Sequence, residues 1–189
     1  MKLKELSTEQ RQNVYNNYVV NDFHKSEVKP LKLIESLIDK GHYKCYGFYE
    51  YEQLLGYAYF VKTEENIFMD YLAVIPKYRC KGIGSKFISI IKEEFSEKFA
   101  TLLAEVENPK YSLDEVDRFN RERRILFYLK NGFKTSDIET CVLEDQYSII
   151  KLELCKELEN EEIKEEVRDI YKTMFGEEFF KKNISVSKK

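Results

Sequence analysis

The chain lacks the marks of several large protein classes. Its four cysteines, at positions 45, 80, 141 and 155, are scattered, and no two of them form C-x-x-C. The two histidines, His24 and His42, complete no metal-ligand spacing, so no metal is expected. No apolar run approaches the length that a membrane-crossing helix needs, and no membrane partner is expected. The opening segment, MKLKELSTEQ, has no continuous apolar stretch of the kind a signal peptide carries. Scattered thiols without such a leader point to the reducing cytoplasm. An excess of charge is missing as well. Lys and Arg number 31 against 34 Asp and Glu, a formal net charge of −3, which gives no support to general nucleic-acid binding. There is no internal repeat.

What is present suits a soluble globular enzyme. Hydrophobic residues make up 43% of the 189 positions, enough for a core in one domain of ordinary size, or in a domain with an appendage. Lys2 to Leu6 reads as a short strand, and Ser7 with Gln10 forms a capping box that opens a helix running to about Asp22. Pro30 opens a second helix, with Leu31, Ile34, Leu37 and Ile38 on one face and Gly41 as its stop. Strands follow at 43–50, 53–62 and 67–74, with a tight turn near Tyr51 and Glu52. A helix at 83–98, a strand at 101–107, a further helix, and strands near 139–143 and 147–154 complete the order.

The most informative segment is Arg79-Cys80-Lys81-Gly82-Ile83-Gly84. It joins the apolar strand ending in Leu72, Ala73 and Val74 to a helix whose apolar residues recur at Ile83, Phe87, Ile91 and Phe95. Amides in a turn that opens a helix point outward together, and the helix end adds partial positive charge. Arg79, Lys81 and Lys86 add full charges, so the turn suits a phosphate or pyrophosphate. The Walker spacing is absent, and the dinucleotide pattern G-x-G-x-x-G fails because position 87 is Phe. Alone, the segment is equally compatible with a plain strand-to-helix turn carrying incidental basic residues. Cys80 reads as a small residue contributing its backbone.

A second segment, RERRILFYLKNGF at 121–133, has Ile125, Leu126 and Leu129 on a helical face, ended by Asn131 and Gly132. Gly followed by Phe133 is the Schellman pattern, which makes Tyr128 the packing partner of Phe133. Taken together, the R-x-x-G-x-G turn after L-A-V-x-P and the Tyr-x-x-x-Gly-Phe segment resemble the GNAT superfamily of N-acetyltransferases, over roughly residues 1–155. The resemblance implies an α/β (α+β) fold: a central mixed, mostly antiparallel twisted sheet of about seven strands flanked by helices. Residues 156–189 would be a helical extension packed on that domain or at a dimer contact.

The resemblance also implies the chemistry: acetyl transfer from acetyl-coenzyme A to a primary amine by direct attack through a tetrahedral intermediate. The pyrophosphate would lie on Arg79 to Ser85 (Arg79, Cys80, Lys81, Gly82, Ile83, Gly84, Ser85), and the pantetheine arm along Leu72, Ala73 and Val74. Tyr128 falls on the position of the general acid that protonates the departing thiolate. The family often has Asn where this chain has Arg121, which could reach a phosphate or face the acceptor. For the base, Glu105 stands in an apolar strand where a carboxylate is costly unless paired or used, and Glu107 shares its face. The alternatives are pairing with Arg121, Arg123 or Arg124, Asp70 as the base, or ordered water alone. By position, Asp22, Phe23, His24, Ser26 and Glu27 line the acceptor pocket. The acceptor is a small molecule or a peptide amine, and acidic residues there favour a cationic one.

Two other functional classes stay open at this point: a non-catalytic acyl-coenzyme A sensor and an interaction module built on the tail. Ile163, Val167, Ile170, Tyr171, Met174 and Phe175 form an apolar stripe in that tail, compatible with a monomer or a homodimer. The stretch 108–120 reads as an extra helical turn, a flap over the acceptor or a solvated insertion.

Overall fold

A computed structural model describes residues 1–189. Its strands are hydrogen-bonded in the order β1-β2-β3-β4-β5-β7-β6-β8. They span Lys2–Glu5 (β1), Tyr43–Glu50 (β2), Gln53–Lys62 (β3), Ile67–Val74 (β4), Thr101–Glu107 (β5), Lys134–Val142 (β6), Asp145–Glu153 (β7) and Ile184–Lys188 (β8). The contacts group the chain into two compact units, one of residues 1–62 and 69–94, the other of residues 63–68 and 95–189.

In the first unit β1 pairs antiparallel with β2, and β2 with β3, with a register shift at Phe48/Tyr49. Helix α1 (Thr8–Val14) begins at the expected capping box, in which the Ser7 hydroxyl accepts from the Gln10 amide and the Gln10 side chain accepts from the Ser7 amide. It runs on through a π-helical stretch, Tyr15–Val19, into α2 (Val20–Asp22). The π stretch is invisible to a pattern of apolar spacings, because it changes the winding without changing which residues are apolar. Helix α3 (Leu31–Asp39) follows Pro30 and buries Ile34 and Leu37. Helix α4 (Ile83–Phe95) stacks Phe87 on Phe48 of β2, with ring centroids 4.5 Å apart.

The other face of β2 and β3 is rich in tyrosine. Cys45 stands opposite Tyr59, and Gly47 opposite Tyr57. Tyr43, Tyr57, Tyr59 and Tyr71 are each at most 2% exposed. Buried phenols call for polar partners: Tyr57 donates to Asp22, Tyr71 to the Glu27 carbonyl and Tyr43 to Asp70, while the Tyr59 hydroxyl has no hydrogen-bond partner.

In the second unit β5 pairs antiparallel with β7, β7 with β6, and β6 with β8. Helix α5 (Glu115–Lys130) is longer than the motif at its C-terminal end suggests. Asp114 caps it by accepting from the Asp117 amide, and a 3₁₀ turn (Pro109–Tyr111) precedes it. The expected insertion at 108–120 is therefore largely helix. Helix α6 (Asn160–Phe175) buries Ile163, Val167, Ile170, Tyr171 and Met174, and Gly176 with φ +83° ends it. Two elements exceed the expectation. After α7 (Glu177–Asn183) the tail forms β8, an edge strand whose Ile184 and Val186 alternate inward. β6 begins at Lys134, because a register shift over Thr135–Glu139 interrupts the apolar alternation. There the Ser136 hydroxyl donates to the Ile149 carbonyl and accepts from the Ile138 amide. No helix is long and apolar enough to cross a membrane.

Candidate active site

β4 is buried over Ile67, Phe68 and Met69, but its last residues, Leu72, Ala73 and Val74, which belong to the first unit, are only half-buried. The strand thus becomes accessible where the turn begins. A 3₁₀ turn (Pro76–Tyr78) leads to Arg79, Cys80, Lys81 and Gly82, all exposed. Cys80 (φ +60°) and Gly82 (φ +73°) flank Lys81 with left-handed backbone. Left-handed residues alternating with right-handed ones are the backbone form that turns successive amides toward one concavity and favours an anion. A Cβ placed at Gly82 would meet nothing within 4 Å, so the turn borders open space there. The Gly82 carbonyl accepts from the Lys86 amide at 3.2 Å. The amides of Ile83, Gly84 and Ser85 therefore stand at the start of α4, ahead of Lys86, the first amide to donate to the Gly82 carbonyl. These residues fit a pyrophosphate.

Arg79 is held in place by its own unit. Its Nε donates to the Val74 carbonyl at 2.8 Å and its guanidinium to Asp22 at 2.6 Å. The side chain is 48% exposed, so one edge of the guanidinium still faces solvent. Lys81 Nζ donates to the Lys77 carbonyl at 3.2 Å.

The residues of this unit expected by position to line an acceptor pocket have internal partners. Asp22 accepts from the Tyr57 hydroxyl at 2.9 Å as well as from Arg79. Phe23 packs edge-on against Tyr71, with centroids 4.7 Å apart. The His24 amide donates to Glu27 and its Nδ1 lies 2.8 Å from the Ser26 hydroxyl. The Tyr71 hydroxyl donates to the Glu27 carbonyl at 2.6 Å and accepts from the Lys29 amide at 2.9 Å. Tyr15 donates to the Lys29 carbonyl at 2.8 Å. Asp70, with its side chain 1% exposed, pairs with Lys29 Nζ at 2.7 Å and accepts from Tyr43. Burial first, then the Asp70 charge, hold the Tyr43 phenol well above its ordinary pKa, so it stays a donor. Lys29 and Tyr43 carry no sequence signal of this role, because their partner Asp70 is distant along the chain.

In the second unit Tyr128 is 8% exposed. It sits in the expected Schellman end: the Phe133 amide bonds the Tyr128 carbonyl, the Gly132 amide bonds the Leu129 carbonyl, and Gly132 has φ +92°. The Tyr128 and Phe133 rings meet edge-on at 5.1 Å. Burial pushes the Tyr128 phenol up to about 12, opposed by the nearby Arg124 charge. Glu107 is paired with Arg124, and with Arg121 at 3.6 Å. Arg121 is 13% exposed and further tied to Asp117 at 2.9 Å and to the Asn108 carbonyl at 3.1 Å. Those bonds commit its guanidinium to groups of its own unit. Glu105 is half-buried and accepts a hydrogen bond from Tyr171 of α6. The apolar stripe of α6 accounts for the Tyr171 ring but carries no signal for its hydroxyl, since a tyrosine's spacing does not tell whether that group is used. Among the described residues no three His, Cys, Asp or Glu side chains gather into a metal-binding group.

Comparison with known proteins adds three findings. Residues 41–135 match the family model described as an acetyltransferase (GNAT) domain. No curated protein sequence matches the chain. Many solved structures share its fold. One is a protein from Bacteroides thetaiotaomicron assigned to the GNAT acetyltransferases, with TM-score 0.73, 17% identity, and coverage of 94% of this chain and 99% of that one. A ribosomal-protein alanine N-acetyltransferase from Escherichia coli has TM-score 0.61 and 17% identity, covering 84% and 97%. A GNAT acetyltransferase from Elizabethkingia anophelis with acetyl-CoA bound has TM-score 0.55 and 14% identity, covering 80% and 97%. At such identities the structural likeness speaks for the fold.

Proposed function

The chain belongs to the acetyltransferase (GNAT) family, and from that premise we propose that it moves the acetyl group of acetyl-coenzyme A to a primary amine of a small molecule or peptide. The observation that carries the proposal is the turn from Arg79 to Ser85. It is open at Gly82, left-handed at Cys80 and Gly82, and placed at the start of α4. These features support a pyrophosphate held by backbone amides, with Lys81 and Lys86 adding charge. The acetyl-CoA in the Elizabethkingia anophelis relative and the alanine acceptor in the name of the Escherichia coli one support the cosubstrate and the amine.

The thioester supplies an acyl carbon with a leaving thiolate. The amine nitrogen attacks that carbon, its excess proton goes to a base, and the C–S bond of the tetrahedral intermediate breaks. Amides of Leu72, Ala73 and Val74 are assigned to the pantetheine arm, which lies along the strand as an added strand would. Tyr128 is assigned the proton that the thiolate takes up. With its pKa raised by burial, it keeps that proton throughout the neutral range.

Of the two carboxylates weighed as the base, Glu105 is the better supported. Asp70 has one oxygen on Lys29 and the other on Tyr43, which suits an anchor for the segment between α2 and α3. Glu107 is already matched by two arginines, and Asp22 by Arg79. The carboxylates expected to draw a cationic acceptor thus have internal partners, and the proposal favours an acceptor carrying no extra positive charge.

The test is thiol release from acetyl-CoA against a panel holding a polyamine, an aminoglycoside and N-terminal peptides. Saturable, amine-dependent release supports the proposal. Saturable acetyl-CoA binding without release on any amine would favour a non-catalytic acyl-CoA sensor instead.

A further inference from the structure

Helix α6 brings one hydroxyl to the carboxylate assigned as the base. The Tyr171 side chain is 1% exposed, and its hydroxyl donates to Glu105 on β5. The Thr140 hydroxyl on β6 lies 3.2 Å from the same oxygen. With Thr140 donating to the phenol oxygen, the phenol proton is left for Glu105. This gives a relay from Thr140 through Tyr171 to Glu105 in which the Tyr171 hydroxyl both accepts and donates.

The helix that carries Tyr171 is fixed by more than its apolar stripe. One turn before it, Glu166 accepts from the Thr63 hydroxyl at 2.5 Å and from the Asn66 side-chain amide at 2.9 Å. The Phe68 and Tyr171 rings pack with centroids 6.3 Å apart. Beyond the helix, the Leu143 amide bonds the Asn183 carbonyl, and β8 pairs with β6 from Ile184 onward. The phenol is therefore pre-oriented by elements on both sides of it, which is the condition for holding a functional group in a set geometry.

We infer that Tyr171 is a positioning residue for acetyl transfer, its hydroxyl orienting the Glu105 carboxylate and keeping it ionised to receive the amine proton. This rests on the assignment of Glu105 as the base. The physical ground is that partial burial disfavours a charged carboxylate, whereas a hydrogen bond donated to the charged form favours it. Tyr171 remains a donor because burial first, and the Glu105 charge second, hold its pKa well above the ordinary value. The other ionisable groups around this pair include Glu107 on the same strand, with its partners Arg121 and Arg124 from α5, and Tyr147 on β7, whose charge also acts on Tyr171. The tail thereby becomes part of the catalytic apparatus rather than a cover for it.

The experiment is a carbon-13 NMR titration of the Glu105 side-chain carboxyl in the full chain, assigned with Glu105→Gln, for wild type and Tyr171→Phe. The expected result is a Glu105 titration moved to higher pH in Tyr171→Phe, by about one unit for the loss of one charge-assisted hydrogen bond. An unmoved titration overturns the inference. If Tyr171→Phe does not fold, Thr140→Val removes the donor behind the phenol and should move the titration in the same direction by less; no movement there overturns it equally. Kinetics with acetyl-CoA and the same probe amines separate the two assignments. Slow Glu105→Gln with a wild-type pH profile in Tyr171→Phe leaves the base standing and removes the role of Tyr171. Full turnover by folded Glu105→Gln removes the base itself, and with it the role of Tyr171 in the reaction.

Discussion

Two tyrosines show how little a residue's spacing says about its hydroxyl. Tyr128 was legible because it lies in a motif with a fixed helix end, and Gly132 with Phe133 closes the Schellman bonds behind it. Its packing on Phe133 and its proposed acid role are compatible, since the ring faces one group and the hydroxyl can serve another. Tyr171 sits at apolar spacing, and only the folded chain brings it to Glu105. The same holds for Asp70, whose partners Lys29 and Tyr43 are 41 and 27 residues away. For Tyr128→Phe the account expects turnover to fall about 100-fold, within the range of general acid catalysis. Acetyl-CoA affinity should be nearly unchanged, and so should the thermal midpoint, because the contact with the Phe133 ring survives. Initial rates, calorimetry and a melt check all three; a Phe variant with full turnover removes Tyr128 from the mechanism.

At the scale of elements, the strands with strong alternation or dense apolar content were readable to the residue, as at Tyr43–Glu50, Gln53–Lys62, Ile67–Val74 and Thr101–Glu107. β8 was not, because five residues with two inward side chains make a weak signal after a helix. The start of α5 was hidden because Val116 and Phe119 are 70% and 61% exposed. Exposed apolar residues among many charges give no clear buried face. Close packing makes its own prediction at β3. A Cβ on Gly56 would lie 2.6 Å from the Ala73 carbonyl oxygen of β4 and 3.3 Å from the Phe87 ring of α4. The nearer atom is backbone and cannot swing aside, so β4 must shift where the pantetheine arm is assigned. Gly56→Ala should destabilise the fold by about 1–3 kcal/mol and weaken acetyl-CoA binding together with it. Denaturant melts and titration calorimetry check the pair; a variant that melts and binds as wild type would contradict the close contact.

For the molecule as a whole, the buried phenols set a limit on alkaline stability. Burial raises Tyr43, Tyr57, Tyr59, Tyr71, Tyr128 and Tyr171, with Tyr128 at about 12. An unfolded tyrosine titrates near ~10. Above that pH the unfolded chain has released protons that the folded chain still holds, so unfolding becomes easier as pH rises. The stability that these phenols contribute is complete below about pH 10 and declines above it. Thermal midpoints from pH 8 to 11 should be level at first and then fall; a level curve throughout would show the phenols to be exposed. Fold class and family were legible because the Arg79–Ser85 turn and the Tyr128–Phe133 helix end are local in sequence. The acceptor was not, because its proposed residues are committed to partners that only the fold brings near. The central claim is the coenzyme A cradle, and the direct test is calorimetric titration of wild type and Gly82→Asp with acetyl-CoA. Space around Gly82 is open, and Asp tolerates left-handed backbone better than most residues, so the variant should fold. Saturable wild-type binding that the variant loses is the predicted result, and a folded wild type that does not bind, or a variant that binds equally well, would contradict it.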